Sequence, residues 1–429
     1  MSATKIAAVH ARAVYDSRGR PTVEAEVRLA GGAIGRGIAP AGASRGRHEA
    51  VDLRDGGAAY GGLGVERAVE NAKGPLARAI IGLDAANQPQ VDRALIAADG
   101  TSDKSRLGGN AIVALSLASL DAAARASGLT TWAWLAQGRP VTLPMPEIQI
   151  FGGGAHAGRR VDIQDFMVVP IGAASFAQAL AMVAEVYRAA GELMAEAGKL
   201  AGVADEGGFW PIFATNEEAL DYVVRAIERA GLRPGDDMAI SLDIAASEFR
   251  QDGRYRLGLE GRELDTSGMI ALLADWLARY PIVSVEDPLA EDDEAGLVEF
   301  TRRFGRRVQV VGDDYLVTNA ERVIRAARHG ACNAALIKLN QAGTVTETHA
   351  AFEAARAVGW GAIVSARSGE TEDVAIVHLA TGWAVGQLKV GSFARSERMA
   401  KWNEGLRVEE ALGASARFAS WPPAGIGSD

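Results

Sequence analysis

The sequence predicts a (β/α)8-type barrel preceded by a smaller α+β unit, and three observations carry that reading. From about residue 140 onward, short apolar runs alternate with helical stretches, the pattern of βα units around a parallel sheet. Six such units follow one another within roughly 200 residues, and two further strand candidates precede them, giving about eight strands. The first part of the chain has a different texture, strands first and helices afterwards, as in a compact α+β unit. The length of 429 residues allows two or three domains at roughly 150 residues each.

In chain order, Val9–Tyr15, Pro21–Leu29 and Ala33–Ile38 read as strands separated by Gly-rich turns. Val23, Ala25 and Val27 alternate with period two, so an antiparallel meander is expected. The period then becomes helical, most clearly over Val65–Ile80 and Asn110–Ala124. The proline-bearing segment Pro140–Pro146 marks a boundary, dividing an α+β unit, 1–140, from a barrel unit, 141–429. Strand candidates beyond it lie near Glu147–Phe151 and Phe166–Val169. The repeating runs are Ala239–Leu242, Ile282–Val285, Val308–Val311, Ala334–Ile337, Ala362–Val364 and Val385–Leu388. Between them fall helical stretches at Glu217–Ala230, Met269–Arg279, Ala320–Arg328 and Thr344–Val358.

Composition narrows the function. With 45 basic and 54 acidic residues the net charge is −9, which argues against nucleic acid or a polybasic membrane contact as partner. The one cysteine, Cys332, forms no internal disulfide and excludes a multi-thiolate zinc site. Charged residues interrupt the N-terminal apolar stretch, and Ala111–Leu120 is too short to cross a bilayer. A cytoplasmic protein is expected.

Each apolar run of the barrel ends in a polar residue: Asp243, Glu286, Asp313, Lys338, Arg367 with Ser368, and Lys389. Catalytic groups of such barrels gather at these C-terminal strand ends. One acid after a strand is as well explained as a helix cap. Three on successive strands point to a hard cation such as Mg²⁺, which takes oxygen ligands. Lys338 and Lys389 on later strands of the ring read either as salt-bridge partners of those acids or as a base. Beside Mg²⁺ and a second lysine, a lysine's charged form is disfavoured and its pKa falls toward a useful base. Carboxylates, Mg²⁺ and a lysine base together suit proton abstraction next to a carboxylate.

Eleven ordered segments then match one family. They are Asp16-Ser-Arg-Gly-Arg-Pro-Thr22, Gly42-Ala-Ser44, Leu107-Gly-Gly-Asn110, Gly153-Gly-Ala-His-Ala-Gly158, Asp205-Glu-Gly-Gly-Phe209 and Ser247-Glu-Phe249. The remainder are Val285-Glu-Asp-Pro288, Val311-Gly-Asp-Asp314, Lys338-Leu-Asn-Gln341, Arg367-Ser-Gly-Glu-Thr-Glu-Asp373 and Arg395-Ser-Glu-Arg398. Over almost its full length the chain resembles the enolases, whose superfamily is the known case of a lysine or histidine base working with Mg²⁺. The resemblance implies an enolase-type α/β fold, the barrel with its N-terminal capping domain. It implies Asp243, Glu286 and Asp313 as metal ligands, with Ser44 on a mobile loop assisting a second Mg²⁺. Lys338 would be the base and Glu206 the acid that helps expel the β-hydroxyl. Lys389 would hold the substrate carboxylate, and Arg367 and Ser368 its phosphate. His156, on another closing loop, would face the substrate with Gln164; the plainer reading of His156 is a histidine packed in a Gly-rich turn. A dimer-based homo-oligomer is likewise implied.

Departures from the family cluster at the site. The family's Ser-His-Arg-Ser-Gly-Glu is Ser365-Ala-Arg-Ser-Gly-Glu370 here, and its Gln-Glu-Phe is Gln164-Asp-Phe166. A histidine is thus replaced by Ala366, and the second catalytic acid becomes Asp165, set back by about 1.5 Å. Arg45, Arg47 and Arg159 stand where the family has other residues, and guanidinium forks bind phosphate or carboxylate; Arg45 is read as a substrate contact, and the plainer alternative is arginines turned to solvent. These departures favour a Mg²⁺-dependent lyase acting on a phosphorus-containing anion bulkier than 2-phosphoglycerate, as in the enolase-like enzymes of phosphonate or phosphinate biosynthesis such as carboxyphosphonoenolpyruvate synthase. The alternatives are a housekeeping phosphopyruvate hydratase and a non-catalytic binding protein with the same fold.

Overall fold

The computed structural model describes residues 2–43 and 46–427. Its first part is an antiparallel sheet of Ile6–Tyr15, Pro21–Leu29 and Ile34–Ile38, as the period-two pattern predicts. The third strand lies against the helix Gly109–Ala126, nearly all of which is buried. A Cβ on Gly35 would stand 2.1 Å from the Ala122 nitrogen, and one on Gly37 2.5 Å from the Leu117 Cβ. Strand and helix therefore touch almost backbone to backbone, which only glycine permits. The helix expected over 65–80 is broken into Glu66–Asn71, a wider turn over Ala72–Leu76 and Ala77–Ile80. Pro75 lies inside that turn, where its missing N–H and its ring disrupt the regular ladder.

The second part is a closed barrel. Its strands are Met145–Gly152, Asp165–Val169, Ala239–Asp243, Ile282–Glu286, Gln309–Gly312, Ala334–Ile337, Gly361–Ser365 and Gly386–Ser392, and the last pairs with the first. One pairing departs from the expected all-parallel sheet: Asp165–Val169 runs antiparallel to both of its neighbours. The connection 153–164 carries only the short turn Gly154–Ala157 and no crossover helix, so the chain doubles back. Most outer helices start on a side-chain cap: Ser175, Thr215, Asp265, Asp293, Asn319 and Thr344 each accept a bond from the backbone N–H three residues on. These caps fix where each helix leaves the strand before it.

The barrel interior is polar at its centre. Gln387 donates to Glu147 at 2.7 Å, Gln309 donates to Gln387 at 2.7 Å, and Ser284 donates to Gln309 at 3.2 Å. Four strands thereby join through one buried network, and each member is satisfied by the next. Among the described residues no helix is long and apolar enough to cross a membrane.

The capping part is fastened to the barrel mouth. Ala41 and Gly369 exchange two backbone hydrogen bonds of 2.9 Å, and Ala50 N–H donates to the Gln341 carbonyl at 2.8 Å.

Candidate active site

The strand ends come together as the sequence predicts. Asp243 and Glu286 close their strands, Asp313 and Lys338 follow theirs by one residue, and Lys389 lies in the last strand. All five are buried. Asp165 opens its strand instead of closing it, yet it pairs directly with Asp243. The antiparallel direction brings the start of that strand to the mouth where the other strands end.

The Lys389 ammonium lies 2.8 Å from Asp243, 2.8 Å from Glu286 and 3.3 Å from Asp165. Burial alone would lower its pKa, but Asp243 and Glu286 outweigh burial and hold it charged well above the usual lysine range. Lys338 is hydrogen-bonded to Asp313. Burial lowers Lys338 too, and Asp313 again outweighs it, so its pKa is raised. The fall expected from the sequence is the one beside bound Mg²⁺; without a cation Asp313 holds the lysine charged. A neutral Lys338 requires that the charge of Asp313 be taken up by something else, which is what a cation at the carboxylates does.

The carboxylates fit such a cation. Asp243, Glu286 and Asp313 are hard oxygen donors on three consecutive parallel strands, and the buried Glu286 Oε1 has no hydrogen-bond partner among the described residues. Burial, and then the adjacent Asp243, push the Glu286 carboxyl well above the usual range. A divalent ion relieves both effects. Gln164 donates to Asp243 at 2.9 Å and Gln341 to Asp313 at 2.8 Å, so amides fix the outer edges of two of these acids. Asp243, Glu286 and Asp313 are not themselves among the groups whose ligand atoms lie within 4.8 Å of one another; those groups, among the described residues, are His156, Asp165 and Glu206, and Asp287, Asp313 and Asp314. In the second of them Asp287 uses both oxygens on the backbone N–H groups of Asp313 and Asp314, each at 2.9 Å, and so holds the turn.

His156, Asp165 and Glu206 form a cluster that is joined to Asp243 and Glu286 through Lys389. His156 Nδ1 is 3.3 Å from Asp165 Oδ1, and its Nε2 is 3.1 Å from the Ser368 hydroxyl and 3.8 Å from Glu206. Burial lowers the imidazole, but Glu206 and Asp165 outweigh burial, so its pKa ends above the ordinary value. Gln149 donates to the same oxygen of Asp165. Asp165 is thus held between His156, Gln149 and Lys389. Burial raises its carboxyl, but Lys389 and His156 overcome burial and keep it ionised.

Arg367 is buried and paired with Glu49 at 2.8 Å, while Arg398 donates to the backbone carbonyls of Arg367 and Ser368 at 2.8 and 2.6 Å. Ser44 and Arg45 lie outside the described residues. Arg47 pairs with Glu291 and Arg159 with Glu248, both at 3.0 Å. Both guanidiniums are largely exposed, as the plainer reading of arginines turned to solvent expects. Glu49, Asn340 and Gln149 were not singled out from sequence. Asn340 lies inside a matching segment, whereas nothing local marks Glu49 or Gln149.

The sequence pattern described as "Enolase, N-terminal domain" matches residues 6–135, and "Enolase, C-terminal TIM barrel domain" matches residues 140–422. Enolase 1 of Desulfitobacterium hafniense (strain Y51) is 48% identical over 423 residues, covering 98% of this chain and 97% of that protein. A barrel with this mouth and these likenesses is a carbon–oxygen lyase. The chain belongs to the enolase family.

Proposed function

We propose that the protein is a phosphopyruvate hydratase, removing water from 2-phosphoglycerate to give phosphoenolpyruvate with Mg²⁺ as cofactor, in the cytoplasm and as a dimer-based homo-oligomer. The capping part is taken as 1–140 and the barrel as 141–429. The observation that carries the reading is the 48% identity to a protein named Enolase 1 across nearly both full lengths, together with a mouth holding three acids and two lysines. The diversion toward phosphonate or phosphinate chemistry has less behind it. Arg47 and Arg159 are engaged by Glu291 and Glu248, which removes two of the features that suggested a larger anion.

Asp243, Glu286 and Asp313 would hold the metal, with Ser44 as an added ligand. When bound, Mg²⁺ supplies positive charge that favours the negative charge growing on the substrate carboxylate after proton loss. Lys338 takes the α-proton. Glu206 delivers a proton to the departing β-hydroxyl, so the leaving group is water and the balance is one substrate to one product plus water. His156 steadies Glu206 and Ser368 from one ring nitrogen. Lys389 keeps its charge beside the substrate carboxylate, Gln164 braces Asp243, Asp165 fixes His156 and Lys389, and Arg367 with Ser368 binds the phosphate. Arg45 belongs to this reading as a further contact to the phosphate.

The test is turnover of 2-phosphoglycerate, followed by the ultraviolet absorbance of phosphoenolpyruvate with and without Mg²⁺. A Mg²⁺-dependent kcat/KM within about 10⁴–10⁸ M⁻¹s⁻¹ is expected. A value below that range would return the reading to a diverged substrate.

A further inference from the structure

We propose that Glu49 of the capping part is a positioning residue for Arg367, holding the guanidinium in the plane that receives the substrate's phosphate and tying the segment 46–50 to that end of the site. The inference rests on the phosphoglycerate reading for the identity of the anion, and on geometry for everything else.

Glu49 is a charged residue only 6% exposed, and a buried carboxylate persists only with partners. Its Oε2 accepts from Arg367 Nη1 at 2.8 Å and its Oε1 from Nη2 at 3.3 Å, so carboxylate and guanidinium meet fork to fork. Arg367 Nη1 donates as well to Asn340 Oδ1 at 3.0 Å. Two acceptors on one nitrogen, with a third on the next, fix the plane of the guanidinium.

Glu49 does not depend on Arg367 alone for its place. Its Oε1 also accepts from the Gly46 N–H at 2.9 Å and from Gln341 Nε2 at 3.4 Å. The same Gln341 nitrogen donates to Asp313 at 2.8 Å. One carboxylate therefore joins the loop backbone, the anion-binding guanidinium and an amide that steadies an expected metal ligand. The segment 46–50 is held to the barrel where Ala50 N–H donates to the Gln341 carbonyl at 2.8 Å, so its position is transmitted to Arg367 through Glu49. The opposite role, a carboxylate that occupies the guanidinium and must leave when phosphate arrives, predicts the reverse effect of removing it. The additional bonds to Gly46 and Gln341 favour a fixed orienting residue.

Without Glu49, Arg367 keeps its charge and loses its fixed orientation toward the anion. The experiment uses the full chain, as parent, Glu49→Gln, Glu49→Asp, Arg367→Gln and the double variant Glu49→Gln with Arg367→Gln. Calorimetric titration with inorganic phosphate in excess Mg²⁺ is read beside kcat and KM for 2-phosphoglycerate and thermal unfolding. Glu49→Gln is expected to weaken phosphate about tenfold. KM should rise by a similar factor while kcat moves less, and Glu49→Asp should recover part of the loss. In the Arg367→Gln background Glu49→Gln should add less than about twofold, since coupled residues are not additive. Unchanged or tighter phosphate binding in Glu49→Gln, or full additivity in the double variant, overturns the proposal, as does a parent that fails to bind phosphate. Should Glu49→Gln not fold, Glu49→Asp reads the same quantities. A parent that binds phosphate through Arg367 yet does not turn over 2-phosphoglycerate defeats the hydratase reading, and the phosphate titration still decides the role of Glu49.

Discussion

Lys338 and Glu206 belong to different contact groups, one bonded to Asp313 and the other beside His156. That separation suits two proton transfers at different atoms of one substrate. Lys338→Ala should abolish exchange of the substrate's α-proton with solvent deuterium and lower kcat by about 10²–10⁴-fold. Glu206→Gln should block elimination and retain exchange, because its proton goes to the leaving group. Mass spectrometry of substrate recovered from deuterium oxide checks both. Exchange at the parent rate in Lys338→Ala would assign the base elsewhere. Asp165 stands apart from both acts: with one oxygen near His156 and Gln149 and the other near Lys389, its contacts orient other groups.

At the scale of elements, the inward-facing residues of the barrel strands form a polar floor beneath the site. Burial pushes the Glu147 carboxyl up to about 7 from an ordinary 4.5, only partly offset by Lys389 and Gln387. The folded protein therefore keeps a proton that the unfolded chain has released between those values. Stability must then fall as pH rises through the window, since the folded state binds more protons there. Glu147→Gln keeps an acceptor for Gln387 and cannot ionise. Relative to the parent it should gain stability between pH 5 and pH 8, by no more than about 3 kcal/mol. Urea unfolding at the two pH values measures this, and equal differences at both would show that Glu147 ionises normally in the fold.

For the whole molecule, three acids from consecutive strands make the barrel's closure and metal binding one problem. If Mg²⁺ binds the folded site and not the unfolded chain, a concentration of one hundred times Kd adds about 2.7 kcal/mol of stability, a rise of a few degrees in Tm. Glu286→Gln should abolish that rise, and chelation by EDTA should reverse it in the parent. A parent whose Tm ignores Mg²⁺ would leave the three carboxylates without their expected ligand. The joint of the two parts also matters at this scale, since both anchors of the capping loop are backbone hydrogen bonds to barrel residues.

The sequence by itself determined the order of strands and helices and which residues stand at the strand ends. Asp243, Glu286, Asp313, Lys338 and Lys389 were legible because an apolar run and the polar residue that ends it are local features, and closing the barrel forces the ends of parallel strands into one ring. Arg367 and His156 were legible through motifs that are also local. The tertiary structure decided the rest. Asp165 reaches the mouth only because its strand runs backwards, a consequence of a connection without a helix. Glu49 meets Arg367 across a separation of 318 positions, and Arg47 and Arg159 find their acids on other rim loops. Without a cation, Lys338 is held charged because Asp313 touches it. Periodicity is carried by neighbours in sequence, whereas ion pairing and pKa depend on distances of a few ångströms between residues far apart in the chain, and only folding sets those distances.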